Sequence, residues 1–256
     1  MTDRDRGDEA GPALAAAATR LRAARFAVAL TGAGISVESG IPDFRSPGGL
    51  WSVFRPEEYA TIEAFRRDPA KAWRLYRALG ETLAGREPND AHRALAALEE
   101  AGLLRLVITQ NIDGLHQAAG SRAVIEMHGD HRRLQCPRCG HLEDVRPERF
   151  AEPVPACPAC AAPLKPNVVL FGEPVRDLDL IEAAVARCDL LLVVGTSAQV
   201  YPAAGIPAAV RARGGVVIEF NREETPLTAG VVPAGLHFRG PAGHTLARFA
   251  RAALGD

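Results

Sequence analysis

Short unbroken apolar runs alternate along this chain with longer stretches in which apolar residues recur every three or four positions. Phe26-Ala27-Val28-Ala29-Leu30 is the first run, Leu103 to Thr109 the second, and Leu190-Leu191-Leu192-Val193-Val194 the plainest. Runs this short, with no polar alternation, predict strands covered on both faces. Val124-Ile125-Glu126-Met127, Val168-Val169-Leu170-Phe171 and Val216 to Phe220 predict further extended segments. Between them, Leu14, Ala17, Ala18 and Leu21 predict a helix from Pro12 to Ala24. Residues 1–11 are charged and lack such spacing, so a disordered tail is expected there. Ile62, Phe65, Trp73, Tyr76 and Leu79 predict two short helices, with Asp68 as N-cap and Pro69 at the first position of the second. Pro88 to Gly102, Ile181 to Arg187, Ala203 to Ala212 and 244–254 supply the remaining helical patterns. Strands alternating with helices point to an α/β fold with a doubly wound parallel sheet.

The strand ends carry the chemistry. The first run stops in Gly32-Ala33-Gly34, where missing Cβ atoms let backbone N–H groups come close to a ligand phosphate. Val37 occupies the place of the third glycine of the usual dinucleotide fingerprint, so the turn alone is a weak signal. Asp43-Phe44-Arg45 follows. The second run ends in Gln110-Asn111-Ile112-Asp113, the short strand at 124–127 in His128-Gly129, the run at 190–194 in Gly195-Thr196-Ser197, and the run at 216–220 in Asn221. Polar clusters at the ends of several strands imply one shared crevice.

Composition narrows the reading. The chain has 256 residues and a formal net charge of −1, which leaves no electrostatic footprint for direct nucleic-acid binding. No apolar run is long enough to span a membrane, and Met1 to Gly11 does not read as a secretory signal; a cytoplasmic protein is expected. The five cysteines are Cys136, Cys139, Cys157, Cys160 and Cys188. Cys136-x2-Cys139-x17-Cys157-x2-Cys160 sets two pairs at the spacing of a four-thiolate zinc site. Four protein ligands leave no open position, so this metal is expected to be structural. Cys188 precedes a buried strand and reads as core. His92 and His116, in helical or pre-helical settings, read as solvated histidines without a catalytic role, and Glu38 and Glu173 as structural or rim carboxylates.

In this order, Gly32-Ala33-Gly34-Ile35-Ser36, Asp43-Phe44-Arg45, Gln110-Asn111-Ile112-Asp113, His128-Gly129, the four cysteines, Phe171-Gly172-Glu173, Gly195-Thr196-Ser197 and Asn221 resemble the motifs of the sirtuins, NAD-dependent protein-lysine deacylases. The resemblance covers about residues 20–250. It implies a large Rossmann-like NAD-binding domain from 12–40, 89–130 and 168–254. A helical insertion, 41–88, and a zinc module, 131–167, would together form the small domain. It implies that Gly32, Ala33 and Gly34, with Arg45, Gly195, Thr196 and Ser197, hold the pyrophosphate and adjoining ribose, and that Asn221 meets the adenine-side ribose. Gln110, Asn111, Ile112, Asp113 and Asp43 would complete the cofactor site, with Asp113 on the nicotinamide carboxamide and Phe44 shielding the reacting carbon. Asn111 and His128 would be catalytic, His128 as general base.

In the reaction so implied, the acyl oxygen attacks the ribose carbon and nicotinamide leaves. Base-assisted attack by the ribose hydroxyl and hydrolysis then give free lysine and O-acyl-ADP-ribose. The peptide would lie between the two domains, against Val169, Phe171, Gly172, Glu173 and Val200. Relatives that prefer succinyl carry a Tyr-x-x-Arg pair. Tyr76 matches the tyrosine but Leu79 stands in the arginine position, which implies an uncharged acyl group, acetyl first. ADP-ribosyl transfer, NAD hydrolysis or a non-catalytic nucleotide-sensing scaffold are the competing readings. Asn111 and His128 together speak against the last.

Overall fold

The structure is a computed structural model that describes residues 3–43 and 49–255, with side chains from Gly11 onward. Among the described residues nine strands form two sheets. They are β1 (Ala27–Thr31), β2 (Leu106–Thr109), β3 (Val124–Glu126), β4 (Gly129–Gln135), β5 (Leu142–Asp144), β6 (Lys165–Val168), β7 (Leu190–Val194), β8 (Val216–Asn221) and β9 (His237–Arg239). The larger sheet is six-stranded in the order β3-β2-β1-β7-β8-β9, and every pairing in it is parallel. This is the doubly wound order, in which the progression of strands across the sheet reverses between β1 and β7. Both of those strands are buried along their whole length, as their unbroken apolar runs require.

Each face of the large sheet has its own core. Helices Asp3–Ala23, Asp90–Glu100 and Ala242–Leu254 cover one face, packing Leu21, Leu95, Leu98, Leu246 and Phe249 against Ala29, Leu192 and Phe220. Helices Leu178–Arg187 and Ile206–Ala212 cover the other, with Ile181 and Val210 against Leu30, Leu191 and Val217. The N-terminal helix runs through Pro12 back to Asp3, so residues 3–11 are helical where a disordered tail was expected. Proline removes one intrahelical bond and can kink a helix, but it does not set a boundary by itself.

The second sheet is three-stranded and antiparallel, in the order β5-β4-β6. Helices Ile62–Arg67 and Pro69–Leu83 pack on it through Phe65, Trp73, Tyr76 and Leu79, against Leu134, Cys136 and Leu164. The indole N–H of Trp73 donates to the Leu164 carbonyl at 2.8 Å. The start of the second helix follows its sequence signal: Asp68 accepts from the Lys71 amide at 3.0 Å, with Pro69 in the first position. The extended segment expected at 168–171 is paired as β6 over Lys165–Val168 instead, and β4, β5 and β9 have no counterpart in the apolar pattern.

Candidate active site

A cavity of about 690 Å³ opens where the large sheet reverses, at the C-terminal ends of β1, β2, β7 and β8, and extends toward the small sheet. Gly32, Ala33 and Gly34 line it side by side with Gly195, Thr196 and Ser197. The two turns are locked together. Gly32 N–H donates to Val194 O at 3.1 Å, and Gly34 N–H to Gly195 O at 2.8 Å. A Cβ on Gly34 would lie 2.7 Å from that oxygen, and one on Gly195, at φ 60°, would lie 2.3 Å from Ile35 N. These glycines let two strand ends touch. Two of the amides expected to face a phosphate are therefore engaged within the protein.

Behind this wall lies a buried polar network. Asn111 Nδ2 donates to Gly32 O at 3.2 Å and to Ser36 Oγ at 3.1 Å, and the Ser36 hydroxyl donates to Asp113 Oδ2 at 2.7 Å. Asn89 N–H reaches His92 Nδ1 at 3.3 Å, which places the His92 proton on Nε2, facing Ser36 Oγ at 3.5 Å. Thr31 Oγ1 lies 2.8 Å from Thr109 Oγ1 and 2.9 Å from His116 Nε2. The His92 and His116 rings stand 5.0 Å apart, edge to face. Both are buried, not the solvated histidines their positions suggested. Burial, with Arg93 nearby, lowers the His92 pKa to about 4. Burial, with His92 adding to it and Asp113 opposing, lowers that of His116 to about 3. Asp113 is not on the cavity wall; its other oxygen accepts the Leu115 N–H at 3.0 Å.

His128 stands on the wall, with its Nδ1 3.0 Å from the Gln110 carbonyl. Nδ1–H donates there, which leaves Nε2 as the acceptor nitrogen. Burial lowers the imidazole's pKa, with the Gln110 carbonyl opposing, so the ring is neutral near pH 7. The backbone carbonyl of His128 accepts from Val169 N–H at 2.8 Å. Gly129, at φ 77°, follows so closely against β6 that a Cβ would lie 2.0 Å from Asn167 O.

Asp43, Gln110, Ile112, Val169, Gly172, Glu173, Val200 and Asn221 also line the cavity, whereas Phe44 and Arg45 lie outside the described residues. Gln110 Nε2 donates to Thr196 Oγ1 at 2.9 Å and Asn221 Nδ2 to Thr196 O at 2.8 Å. Phe171 and Tyr201 sit at the mouth, 46% and 78% exposed. Leu75, Tyr76 and Leu79 close the apolar end. The Tyr76 hydroxyl is buried with no partner among the described residues, and burial, with Glu173 nearby, holds its pKa well above the usual phenol range. Glu173 in turn pairs at 3.0 Å with the fully buried Lys165.

The sulfurs of Cys136, Cys139, Cys157 and Cys160 all lie within 4.8 Å of one another. Two of the separations, Cys136 to Cys160 and Cys139 to Cys157, are 3.6 Å. Zinc–sulfur bonds of 2.3 Å in a tetrahedron set sulfurs about 3.8 Å apart, so the four thiolates fit zinc with no open position. Each knuckle closes alike: Gly140 N–H bonds Cys136 O at 3.0 Å, and Ala161 N–H bonds Cys157 O at 2.8 Å. Cys188 is buried away from them, as expected. Among the described residues no helix is long and apolar enough to cross a membrane.

A doubly wound parallel sheet with its crevice at the reversal point, joined to a four-cysteine module, defines a Rossmann-like α/β protein with a zinc-type insertion. The Sir2 family pattern matches residues 32–202, and the chain belongs to that family, the sirtuins. It is 48% identical over 231 residues to an NAD-dependent protein deacylase of Thermococcus sibiricus, covering 87% of this chain and 89% of that one. A second relative, the NAD-dependent protein deacylase of Thermococcus kodakarensis, is 48% identical over 244 residues, covering 92% and 93%. Among solved structures, a Sir2 homolog–NAD complex superposes with a TM-score of 0.85 at 43% identity, covering 92% of this chain and 91% of that one.

Proposed function

We propose that this protein is an NAD-dependent protein-lysine deacylase of a reducing, cytoplasmic compartment. It transfers the acyl group of a lysine side chain to ADP-ribose, giving nicotinamide, free lysine and O-acyl-ADP-ribose. His128 carries the proposal: a neutral imidazole, with Nδ1 committed to the Gln110 carbonyl, on the wall of a crevice built at the reversal of a doubly wound sheet. It serves as general base for the ribose hydroxyl. Gly32, Ala33, Gly34, Gly195, Thr196 and Ser197 cradle the diphosphate together with Arg45, while Asp43 completes the cofactor site and Phe44 shields the reacting ribose carbon. Asn221 takes the adenine-side ribose. Gln110, Asn111 and Ile112 bound the nicotinamide end, and Asp113 acts there from behind Ser36, which it holds at 2.7 Å. Cys136, Cys139, Cys157 and Cys160 hold a zinc whose part is to crosslink the small sheet.

The acyl-lysine peptide enters between Phe171-Gly172-Glu173 and Gln199-Val200-Tyr201. Phe171 already uses its N–H and C=O on Ala60 and Ile62, so a peptide strand adds through Gly172 and the facing segment. With Leu75 and Leu79 at the far end and, among the described residues, no cation lining that end, an uncharged acyl group is favoured over succinyl. The test is mass spectrometry of one peptide carrying acetyl-, butyryl- or succinyl-lysine, with and without NAD, on the wild type and His128→Ala. NAD-dependent loss of acetyl and butyryl is expected, with succinyl slower and His128→Ala slowed by about 10²–10⁴-fold. A folded His128→Ala with near-normal turnover refutes the assignment.

A further inference from the structure

Glu219 is fully buried on β8, two residues before Asn221 and on the same face of the strand. Among the described residues no cation pairs with it; its two oxygens take the hydroxyls of Thr225 and Thr228, at 2.7 and 2.6 Å. Each of those hydroxyl oxygens also accepts a backbone N–H: Leu227 N donates to Thr225 Oγ1 at 3.1 Å, and Thr225 N to Thr228 Oγ1 at 3.0 Å. Each threonine therefore has one proton left to place, and both protons point at Glu219. A carboxylate has two acceptor oxygens for them; an amide of the same shape has one. A buried carboxylate without a cation is a costly way to anchor a loop that leucine could have anchored by packing. What the carboxylate adds is direction: it fixes both ends of the first turn of the helix Pro226–Gly230.

That clasp governs one stretch of backbone. The chain leaves β8 at Asn221, which is tied to Thr196 O, and is caught again at Thr225. Every residue from Asn221 to Pro226 lines the cavity, at the end away from His128. Glu219 itself does not. We propose that Glu219 is a positioning residue for the cofactor: through Thr225 and Thr228 it presets the Asn221–Pro226 wall against the adenosine half of the dinucleotide. The proposal rests on reading the cavity as the NAD site. It separates two quantities, because the wall it shapes meets the half of the ligand that does not react.

The test uses full-length Glu219→Gln, Thr228→Val and Thr228→Ser, with ADP-ribose binding by calorimetry and steady-state kinetics on an acetyl peptide. Glu219→Gln and Thr228→Val are each expected to weaken ADP-ribose binding about tenfold and to raise KM for NAD by a similar factor, with a smaller fall in kcat. Thr228→Ser, which keeps the hydroxyl, restores binding to within about threefold of wild type. Thr228→Val carries the test if Glu219→Gln does not fold. Wild-type ADP-ribose affinity in the folded variants, or a fall in kcat as large as the fall in kcat/KM, overturns the positioning role alone. Failure of the wild type to bind ADP-ribose overturns it together with the reading of the cavity.

Discussion

At the crevice, the turn after β1 is fixed by contact between Gly34 and Gly195, and the groups behind it are mostly imidazoles, hydroxyls and an amide sealed from water. The cysteine module is fastened differently. Arg149 bridges Glu143 and Glu152 at 2.6 and 2.7 Å, Arg133 holds Asp130 at 2.7 Å, and Arg77 donates to the carbonyls of Phe150, Glu152 and Pro153. The large sheet is packed on two faces, whereas the small one contributes little more than Leu134, Leu164 and its thiolates to a shared core. Where burial is ample, polar groups can be kept neutral and aimed at a ligand. Where it is scarce, charge and metal must supply order. Cys157→Ser should break the contrast most sharply, because structural zinc contributes on the order of 10 kcal/mol to small modules. One zinc per chain is expected in the reduced wild type and less than one in the variant. Hydrogen exchange should show residues 130–168 unprotected while β1 and β7 keep their protection; a sheet that melts with the module contradicts the separation.

Glycine substitution sharpens the same comparison. Gly195→Ala puts a Cβ into the β1 turn and should cost roughly 2–4 kcal/mol in urea unfolding. Gly140→Ala in the first knuckle has a similar φ, 78°, but open space around it, and should cost only about 1 kcal/mol. Equal costs would mean the glycine lock is not under steric constraint.

Acid should find the crevice side first. His92 and His116 have folded pKa values of about 4 and about 3, below the unfolded value of about 6.5. The unfolded chain therefore binds more protons as pH falls below about 6.5, and stability is lost from there down to the folded values. For His92 the loss reaches roughly 3 kcal/mol by pH 4. His92→Gln should flatten the fall in stability between pH 6.5 and 4, measured by denaturant titration; an unchanged slope removes His92 from the account. The smallest effect belongs to the second knuckle, where Ala161 holds φ 58° in the place Gly140 takes in the first. Ala161→Gly should stabilise by roughly 0.5 kcal/mol, seen as slower zinc loss to a chelator.

The runs that became β1 and β7 were legible because both neighbours of each strand are apolar, so the strand itself must be. Asp68-Pro69 and the four cysteines were legible because their partners lie close in sequence. β4 and β6 were not. Lys165 and Asn167 are fully buried polar residues, made tolerable by Glu173 and Val168 O in one case and by Asp130 and Arg176 in the other. A polar residue buried by distant partners looks like a surface residue in the pattern. His92 and His116 were misjudged for the same reason: Ser36 lies 56 positions from the one, and Thr31 lies 85 from the other. His92 did carry one local sign, its place three residues after the N-cap Asn89, where its ring completes the cap.

The chain crosses from the large sheet to the small one between Glu126 and Gly129 and returns after Val168, and the two crossings lie side by side. Gly129 pairs with Val168, and His128 O takes the Val169 N–H. If the sheets rock against one another, these paired strands are the pivot. Points on a pivot travel least, so the imidazole keeps its place while the walls on either side swing. The His128 imidazole therefore keeps its bond to the Gln110 carbonyl through such a motion.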